Sequence, residues 1–402
     1  MGAEVSIPNL RHLLGAVAVA DQGTLSRAAQ EINLSQPALT QGIAKIEQEL
    51  GVLLFRRSGG GMHPTDAGSL FIARTRRGFE FLRRADRIAG KPYFHHQITL
   101  GQLRSLVATV DAGGFREAAI QLGRDASTVS RACREIELQF EIALFENTSS
   151  GLKPTRSGEA LTRNAKLALR EFGQAVYDVR GLQGDFEGRL SIGCLPLAQS
   201  SILPRALNLF AGEYPRVICR VVDGYYTPLA RGLLRGDLDL LIGALRHEEL
   251  PNGLVQERLF DDSLSVVARV GHPLTHRRNI TMEEVAGYPW VAPRMGAPSR
   301  SYFDQMLDTR RVPASVPAPI ETGSHSVLKG ILFNSDRLAL LSKRQAAQDF
   351  EAKLLTRIDI TLPDSGRAIG MTWREDWLPG PPQERFLNIL REVSGKSERE
   401  KD

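Results

Sequence analysis

The chain has 402 residues, 42% of them hydrophobic and 24% charged, which is enough apolar material for two or three soluble globular domains. The formal net charge of +5 is mild evidence for polyanionic partners, but about +4 of it falls in the first 95 residues, so the basic excess sits at the N-terminal end. Cys133, Cys194 and Cys219 are too few and too scattered for a disulfide framework or a zinc cluster, and no run approaches the roughly 20 apolar residues of a membrane span, so the cytoplasm is the expected compartment.

The opening MGAEVSIPNLRHLLGAVAVA is apolar but has no basic n-region, and it merges into a first helix over residues 13–20. Gly2 with Ser6 alone is too weak a signal for N-acylation. Ala28 and Ala29 then place two small side chains where one helix crosses another closely, and Asn33 fits a short turn. Ser35 caps the next helix, with Pro37 in its first turn, where no intrahelical N–H is lost. Leu39, Ile43, Ile46 and Leu50 recur at three- and four-residue spacing as a buried stripe, leaving Gln36, Thr40, Gln41 and Lys45 outward. Such groups read base edges or grip phosphates, although an ordinary surface helix pair has the same periodicity. The residues beyond this helix favour DNA. Leu54-Phe55-Arg56-Arg57, a Gly59-Gly60-Gly61 tip and Pro64-Thr65-Asp66-Ala67-Gly68 make a basic, glycine-tipped hairpin, so the segment reads as a winged helix-turn-helix.

RAAQEINLSQPALTQGIAKIEQELGVLLFRR and the PTDAG after it resemble the N-terminal domain of LysR-type transcriptional regulators, without gaps over most of residues 10–90. DNA contacts are expected from Ser35, Gln36, Pro37, Thr40, Gln41 and Lys45, with Arg56 and Arg57 on the wing.

Shifting the sequence by 90 residues matches positions 13–68 to 103–158 with 15 identities in 56 positions. Ala28-Ala29 returns as Ala118-Ala119, Ile46-Glu47 as Ile136-Glu137, Leu54-Phe55 as Leu144-Phe145, and Pro64-Thr65 with Gly68 as Pro154-Thr155 with Gly158. The chain therefore reads as two winged modules in tandem, where the LysR pattern has one. In the second copy Asp125 takes the Ser35 cap, and Val129, Cys133, Ile136 and Phe140 take the stripe, which makes Cys133 a small core hydrophobe. Ser127, Thr128, Ser130, Arg131 and Arg134 become its candidate DNA contacts. Its wing is weaker: Glu146-Asn147 replaces Arg56-Arg57, with Lys153 and Arg156 restoring some charge. Either this module binds DNA with a different footprint or it has become a packing and dimerisation element.

Long helices are expected after each Pro-Thr, over residues 66–88 and 156–182. In the second, Leu161, Ala165, Ala168, Leu169, Phe172, Ala175, Val176 and Val179 form a stripe suited to helix pairing. The resemblance implies a linker helix that pairs two subunits; packing on the chain's own domain fits the stripe equally. His95-His96 in the connector has no third ligand nearby, so no metal is expected.

From Arg189 the period changes. Strands are expected at 190–194, 217–222, 238–242, 264–268, 289–292, 318–321 and 338–341, interleaved with helices such as 202–210 and 228–234, which predicts parallel sheets with helices on both faces. Return segments at 353–360 and 367–373 and a closing helix at 382–393 complete two lobes around a cleft. GRLSIGCLPLAQSSILPRAL, FAGEYPRV, GLLRGDLDLLIGAL and DSLSVVARVGHPL resemble the LysR effector-binding domain, of periplasmic-binding-protein type. The expected organisation is a winged module at 1–90, a second at 97–186, an effector domain at 187–395 and a disordered tail at 396–402.

The cleft rim expected after the strands holds Cys194, Pro196, Gln199, Ser200, Ser201, Arg246, Arg294, Ser299, Arg300, Ser324 and His325, groups suited to a small anionic or carboxylate-bearing effector. Cys194 raises a thiol sensor as an alternative, without a second cysteine to resolve it. The leading reading is a transcription regulator with double-stranded DNA, a small-molecule effector and further copies of itself as partners, a homo-dimer or homo-tetramer, and RNA polymerase if it activates. No cofactor and no catalytic residue is expected, because no glycine fingerprint, Gly-x-Ser-x-Gly or paired acid and base is present. The rival reading is a two-lobed binding protein or enzyme carrying a helical interaction module. On the leading reading, removing residues 1–90 abolishes specific DNA binding and leaves a folded, ligand-binding oligomer.

Overall fold

Asn9 starts the first helix: its side chain accepts from the Arg11 N–H at 2.9 Å and opens α1 (Leu10–Gln22), which stops at Gly23 in the left-handed region. After α2 (Leu25–Glu31), Ser35 Oγ accepts from the Ala38 N–H at 3.3 Å and begins α3 (Gln36–Leu50), closed by Gly51 at φ 70°. The antiparallel hairpin β1 (Phe55–Ser58) and β2 (Gly61–Pro64) leads into α4 (Asp66–Ala89). Beyond α5 (Phe94–Gln97) the order recurs as α6 (Leu100–Ala112), α7 (Phe115–Leu122), α8 (Ala126–Phe140), β3 (Phe145–Thr148), β4 (Gly151–Pro154) and α9 (Arg156–Gly181). This computed structural model describes residues 5–59, 61–90, 93–149, 151–246, 250–307 and 312–399. Gly2, the tip residue Gly60, the connector residues Lys91 and Pro92, and the last three residues of the expected tail lie outside the described residues.

Both copies use the same joints. Glu47 Oε1 accepts from the Leu54 and Phe55 N–H groups at 2.7 and 3.2 Å, and Glu137 Oε1 accepts from Leu144 and Phe145 at 2.8 and 3.4 Å. Thr65 caps α4 through the Gly68 N–H and donates to the Leu53 carbonyl; Thr155 repeats this with Gly158 and Ala143. A Cβ on Gly68 would lie 1.9 Å from the Leu54 carbonyl oxygen, and one on Gly158 2.1 Å from that of Leu144, so only glycine fits either site. Asp125 departs from expectation. It occupies the cap position of α8 in extended geometry, but its carboxylate makes no capping bond, and the turn closes through its backbone carbonyl.

The long helices α4 and α9 pack against each other in antiparallel sense within the one chain: Arg74 meets Asp178, and a turn later Phe79 meets Phe172. One continuous apolar core runs from α1 through α4 to α9, so the α9 stripe is covered by the chain's own first module.

The second compact unit begins near Arg189. It runs β5 (Gly188–Cys194), α10 (Pro196–Gln199), α11 (Ile202–Glu213), β6 (Val217–Asp223), α12 (Tyr226–Arg235), β7 (Leu240–Ala244), β8 (Leu254–Arg269), α13 (Met282–Ala286) and β9 (Trp290–Pro293). It continues through α14 (Pro298–Met306), β10 (Ile320–Thr322), α15 (His325–Phe333), β11 (Leu338–Ser342), α16 (Ala347–Glu351), β12 (Leu355–Arg357), β13 (Gly366–Arg374) and α17 (Pro381–Arg399). The strand order is β10-β9-β11-β8-β13-β7-β5-β6, with β12 on the flank of β8.

The parallel prediction holds only in part. β5 pairs parallel with β7, and β9 with β10 and β11, but β8 and β13 run antiparallel to their neighbours. The strand expected at 264–268 is the far end of the sixteen-residue β8, and the return at 353–360 contributes only the three-residue β12. β8 thus pairs in both halves of the unit, and its pairing with β13 shifts register at Ile369/Gly370, where a Cβ on Gly370 would lie 2.0 Å from the Glu257 carbonyl oxygen. The expected tail is also shorter: α17 continues to Arg399, since 396–399 (KSER) contains no helix-stopping residue.

Candidate functional site

On α3 the stripe Leu39, Ile43, Ile46 and Leu50 is buried, and Ser35, Gln36, Pro37, Thr40, Gln41 and Lys45 are all exposed. Two of these are already oriented. Ser26 Oγ donates to Gln36 Oε1 at 3.1 Å, which holds the amide, and Thr40 Oγ1 donates to the Gln36 carbonyl at 2.9 Å, which leaves its lone pairs outward. Arg56 and Arg57 stand exposed on β1, and the Met62 N–H donates to the Gly23 carbonyl at 2.8 Å, fixing that hairpin to α1. A helix face of amides and hydroxyls beside a basic hairpin suits base edges flanked by phosphates.

The second face has the same frame and other chemistry. Ser127, Thr128, Arg131 and Arg134 are exposed on α8 and Ser130 is half-buried, while Val129, Cys133, Ile136 and Phe140 form the core. Arg131 stands where Gln41 does, Arg134 where Ala44 does, and Glu135 where Lys45 does. Burial pushes the Cys133 thiol up to about 11, in keeping with its core role.

A cavity of about 110 Å³ opens in the second unit at the carboxyl ends of its strands. It brings together Pro196, Arg246, Arg294, Ser299, Ser324 and His325 of the expected rim. Arg294 lies over the Tyr225 ring at 3.6 Å and donates to the Gly224 carbonyl at 2.8 Å; Arg246 lies over Tyr226 at 5.1 Å. His325 is held by Gln345 and Asp349 at 3.4 and 3.5 Å, and burial lowers its pKa below the usual imidazole value although Asp349 opposes the shift.

The cavity leaves out the other five. Cys194 is fully buried in β5 and donates to the Leu195 carbonyl, with burial pushing its thiol up to about 12, which is the wrong direction for a reactive sulfur. Ser200 donates to the Gln345 carbonyl and Ser201 to that of Leu197, so neither hydroxyl faces the cavity, and Gln199 is exposed outside it. Arg300 is engaged by Asp304, Glu321 and the Pro293 carbonyl.

Sequence reasoning missed Tyr225, Tyr226, Thr322, Gln345 and Arg367. The tyrosines follow β6 directly, so the rule that located the other loops applies to them too. Arg367 had no such signal. It lies at the start of β13, and because β13 is antiparallel to β7 its beginning meets the carboxyl end of that strand: the Leu245 N–H donates to the Ala368 carbonyl at 2.9 Å. Burial lowers the Arg367 pKa, Asp262 at 3.8 Å opposes the shift, and its Nε is buried without a hydrogen-bond partner among the described residues.

With these faces and this cavity in view, the comparisons with known proteins are decisive. The family described as "LysR substrate binding domain" matches residues 183–395, and the one described as "Bacterial regulatory helix-turn-helix protein, lysR family" matches residues 10–69 and again 100–159. The chain belongs to the LysR family of transcriptional regulators. Among its LysR relatives, the HTH-type transcriptional regulator GalR of Pseudomonas putida is 32% identical over 97% of this chain and 98% of that protein. The regulator PcaQ of Agrobacterium fabrum is 27% identical over 75% of this chain and 96% of that protein. Full-length OxyR from Pseudomonas aeruginosa superposes with a TM-score of 0.55 at 21% identity, over 75% of this chain and 95% of that one. LysG of Corynebacterium glutamicum, solved with bound effector Arg, gives 0.50 at 18%, over 73% and 97%. Both structures share the LysR architecture of an N-terminal helix-turn-helix region and a two-lobed α/β domain. The protein is thus a DNA-binding regulator with an effector-binding domain and not an enzyme. No described helix is long and apolar enough to cross a membrane.

Proposed function

We propose that this LysR regulator carries two DNA-reading modules in tandem and senses a small carboxylate in its C-terminal cavity. The observation that carries the effector class is Arg367, a half-buried guanidinium whose buried Nε–H lacks an acceptor among the described residues, in a cavity that also holds Arg246 and Arg294. A carboxylate supplies that acceptor and offsets the positive charge, while Tyr225 and Tyr226 give the ligand's body an aromatic wall. Ligand binding closes the lobes and shifts the arrangement of subunits on DNA. The regulator works in the cytoplasm as a homo-oligomer and contacts RNA polymerase where it activates.

Calorimetric titration of the full chain with small carboxylic acids and their neutral amides tests the cavity. Acids bind, amides do not, and Arg367→Gln weakens the best acid at least about tenfold, the scale of a charged hydrogen bond. Equal binding of acid and amide would sink the assignment.

Gel shifts on the chain's own upstream DNA at several salt concentrations test the reading faces. Gln36→Ala with Thr40→Ala relaxes sequence preference, whereas Arg56→Ala with Arg57→Ala weakens all sequences alike and flattens the salt dependence by about two phosphate contacts. Arg131→Ala with Arg134→Ala does damage at a second, separate half-site. If that pair changes nothing, the second module is not a DNA reader.

A further inference from the structure

We propose that one chain is a complete pair of reading heads: α4 and α9 pair with each other inside the chain, and the two heads they carry read two unlike half-sites. The two half-sites rest on the proposed contact of the second module with DNA; the pairing of the helices does not.

The pairing is specified by a buried charge cluster that exists only in the α4–α9 combination. Arg74, 4% exposed, donates from Nε to Asp178 at 2.7 Å and from a terminal nitrogen to Glu171 at 3.4 Å, and Arg77 adds a contact to Glu171 at 3.4 Å. The repeat assigns each of these a counterpart 90 residues away: Asn164 for Arg74, Leu167 for Arg77, Phe81 for Glu171 and Ile88 for Asp178. Two α4 helices from different chains would bury Arg74 against Phe81 and Ile88, with no carboxylate. Two α9 helices would bury Glu171 and Asp178 against Asn164 and Leu167, with no guanidinium. Uncompensated buried charge penalises either like pairing, and the unlike pair alone neutralises it.

Shape agrees with charge. Phe172 packs on Gly78, where a Cβ would lie 2.3 Å from its ring, and its ring centroid is 5.1 Å from that of Phe79. The repeat maps Gly78 to Ala168 and Phe172 to Leu82, again a small residue and a large one, and all four are buried. The seam thus keeps the pseudo-twofold of a helix pair while its charges make the two partners distinguishable. The connector holds the pairing in cis: His95 Nδ1 bonds Asp86 of α4 at 2.7 Å, and the Phe94 ring lies 4.3 Å from Phe140 of α8. The heads this seam joins differ at the positions of Gln41, Ala44 and Lys45, which become Arg131, Arg134 and Glu135, so the DNA they read is asymmetric.

A charge swap in the full-length chain tests this, with Glu171→Gln as a common background so that only the Arg74–Asp178 pair is exchanged. Arg74→Asp and Asp178→Arg singly lower the melting transition by roughly 10 °C and cost protection at both half-sites, whereas the two together in one chain recover most of both. An equimolar refolded mixture of the two single variants stays defective. Recovery in that mixture means the helices pair between chains and overturns the proposal. Should the swapped chains fold poorly, stoichiometry decides on the unaltered protein: sedimentation with a labelled duplex spanning the footprint gives one chain per pair of half-sites, and two chains per pair overturns it. If the swap follows the intrachain pattern while Arg131→Ala with Arg134→Ala leaves the footprint whole, the pairing is upheld and the second head's role in reading DNA falls.

Discussion

Glu47 and Glu137 show what a repeated residue is for. Each carboxylate closes the turn between a helix, α3 or α8, and the hairpin after it by accepting two backbone N–H groups that have no strand partner there. Glu47→Ala leaves both donors unpaired in a partly buried turn and costs about 1–3 kcal/mol, whereas Glu47→Gln, which keeps an acceptor oxygen, costs less; urea unfolding of the two variants checks the order. Equal losses would mean that the side chain acts by packing alone. The sequence displayed the identity of these two residues but not its cause, because an acceptor aimed at a neighbouring turn leaves no periodic trace. Cys194 was misplaced for a related reason. β5 is buried on both faces from Leu190 onward, so the alternation that normally tells inward from outward is missing, and a residue at a strand end read as a rim residue. Arg246 and Arg294, in loops directly after strands, and His325, which opens the helix after β10, were legible because the rule concerns the position in the chain and not the direction of the side chain.

At the level of elements, an amphipathic stripe announces that a helix face is covered and says nothing of the cover. The α9 stripe was plain from Leu161 to Val179, yet its partner α4, about 90 residues earlier in the chain, appears only in three dimensions. The antiparallel run of β8 and β13 was hidden likewise, since strand direction is set by connection and pairing rather than by hydrophobic pattern. The α4–α9 seam makes a specific energetic prediction at its tightest point. Gly78→Ala places a methyl group 2.3 Å from the Phe172 ring and destabilises the first unit by about 1–3 kcal/mol through overpacking. Phe172→Leu alone leaves a small void, but in its presence the alanine at 78 finds room, so the double variant is more stable than the sum of the two predicts. A double-mutant cycle by thermal melting measures that coupling, and strict additivity would mean that the two residues do not share a packing site.

For the whole molecule, the decisive fact is that the two modules share their largest core, leaving the second only a small cluster of its own around Ala108, Ala118, Ala119 and Val129. PcaQ aligns over 96% of its own length yet leaves a quarter of this chain unmatched, while GalR accounts for 97% of it. A detachable extra module would be the simple reading of that surplus, and it underlies the expectation that removing residues 1–90 leaves a folded, ligand-binding oligomer. The continuous core argues otherwise. Phe71, Phe79, Phe81, Leu82 and Ala85 of α4 are buried in the same cluster as Leu161, Ala165, Phe172, Val176 and Val179 of α9. Removing α4 exposes that face of α9 and strips Glu171 and Asp178 of Arg74, which leaves buried-type carboxylates beside a sticky apolar strip. The truncated chain 91–402 is therefore expected to run as large, heterogeneous species in size-exclusion chromatography with light scattering. A chain beginning at residue 65 still lacks the α1–α3 side of the core but restores α4 as the cover of α9, and it is expected to aggregate less than 91–402, to bind carboxylates as the full chain does, and to have lost the half-site proposed for Gln36 and Thr40. Monodisperse behaviour and an unchanged melting transition for 91–402 would show that the second module holds itself together and that the shared core contributes little.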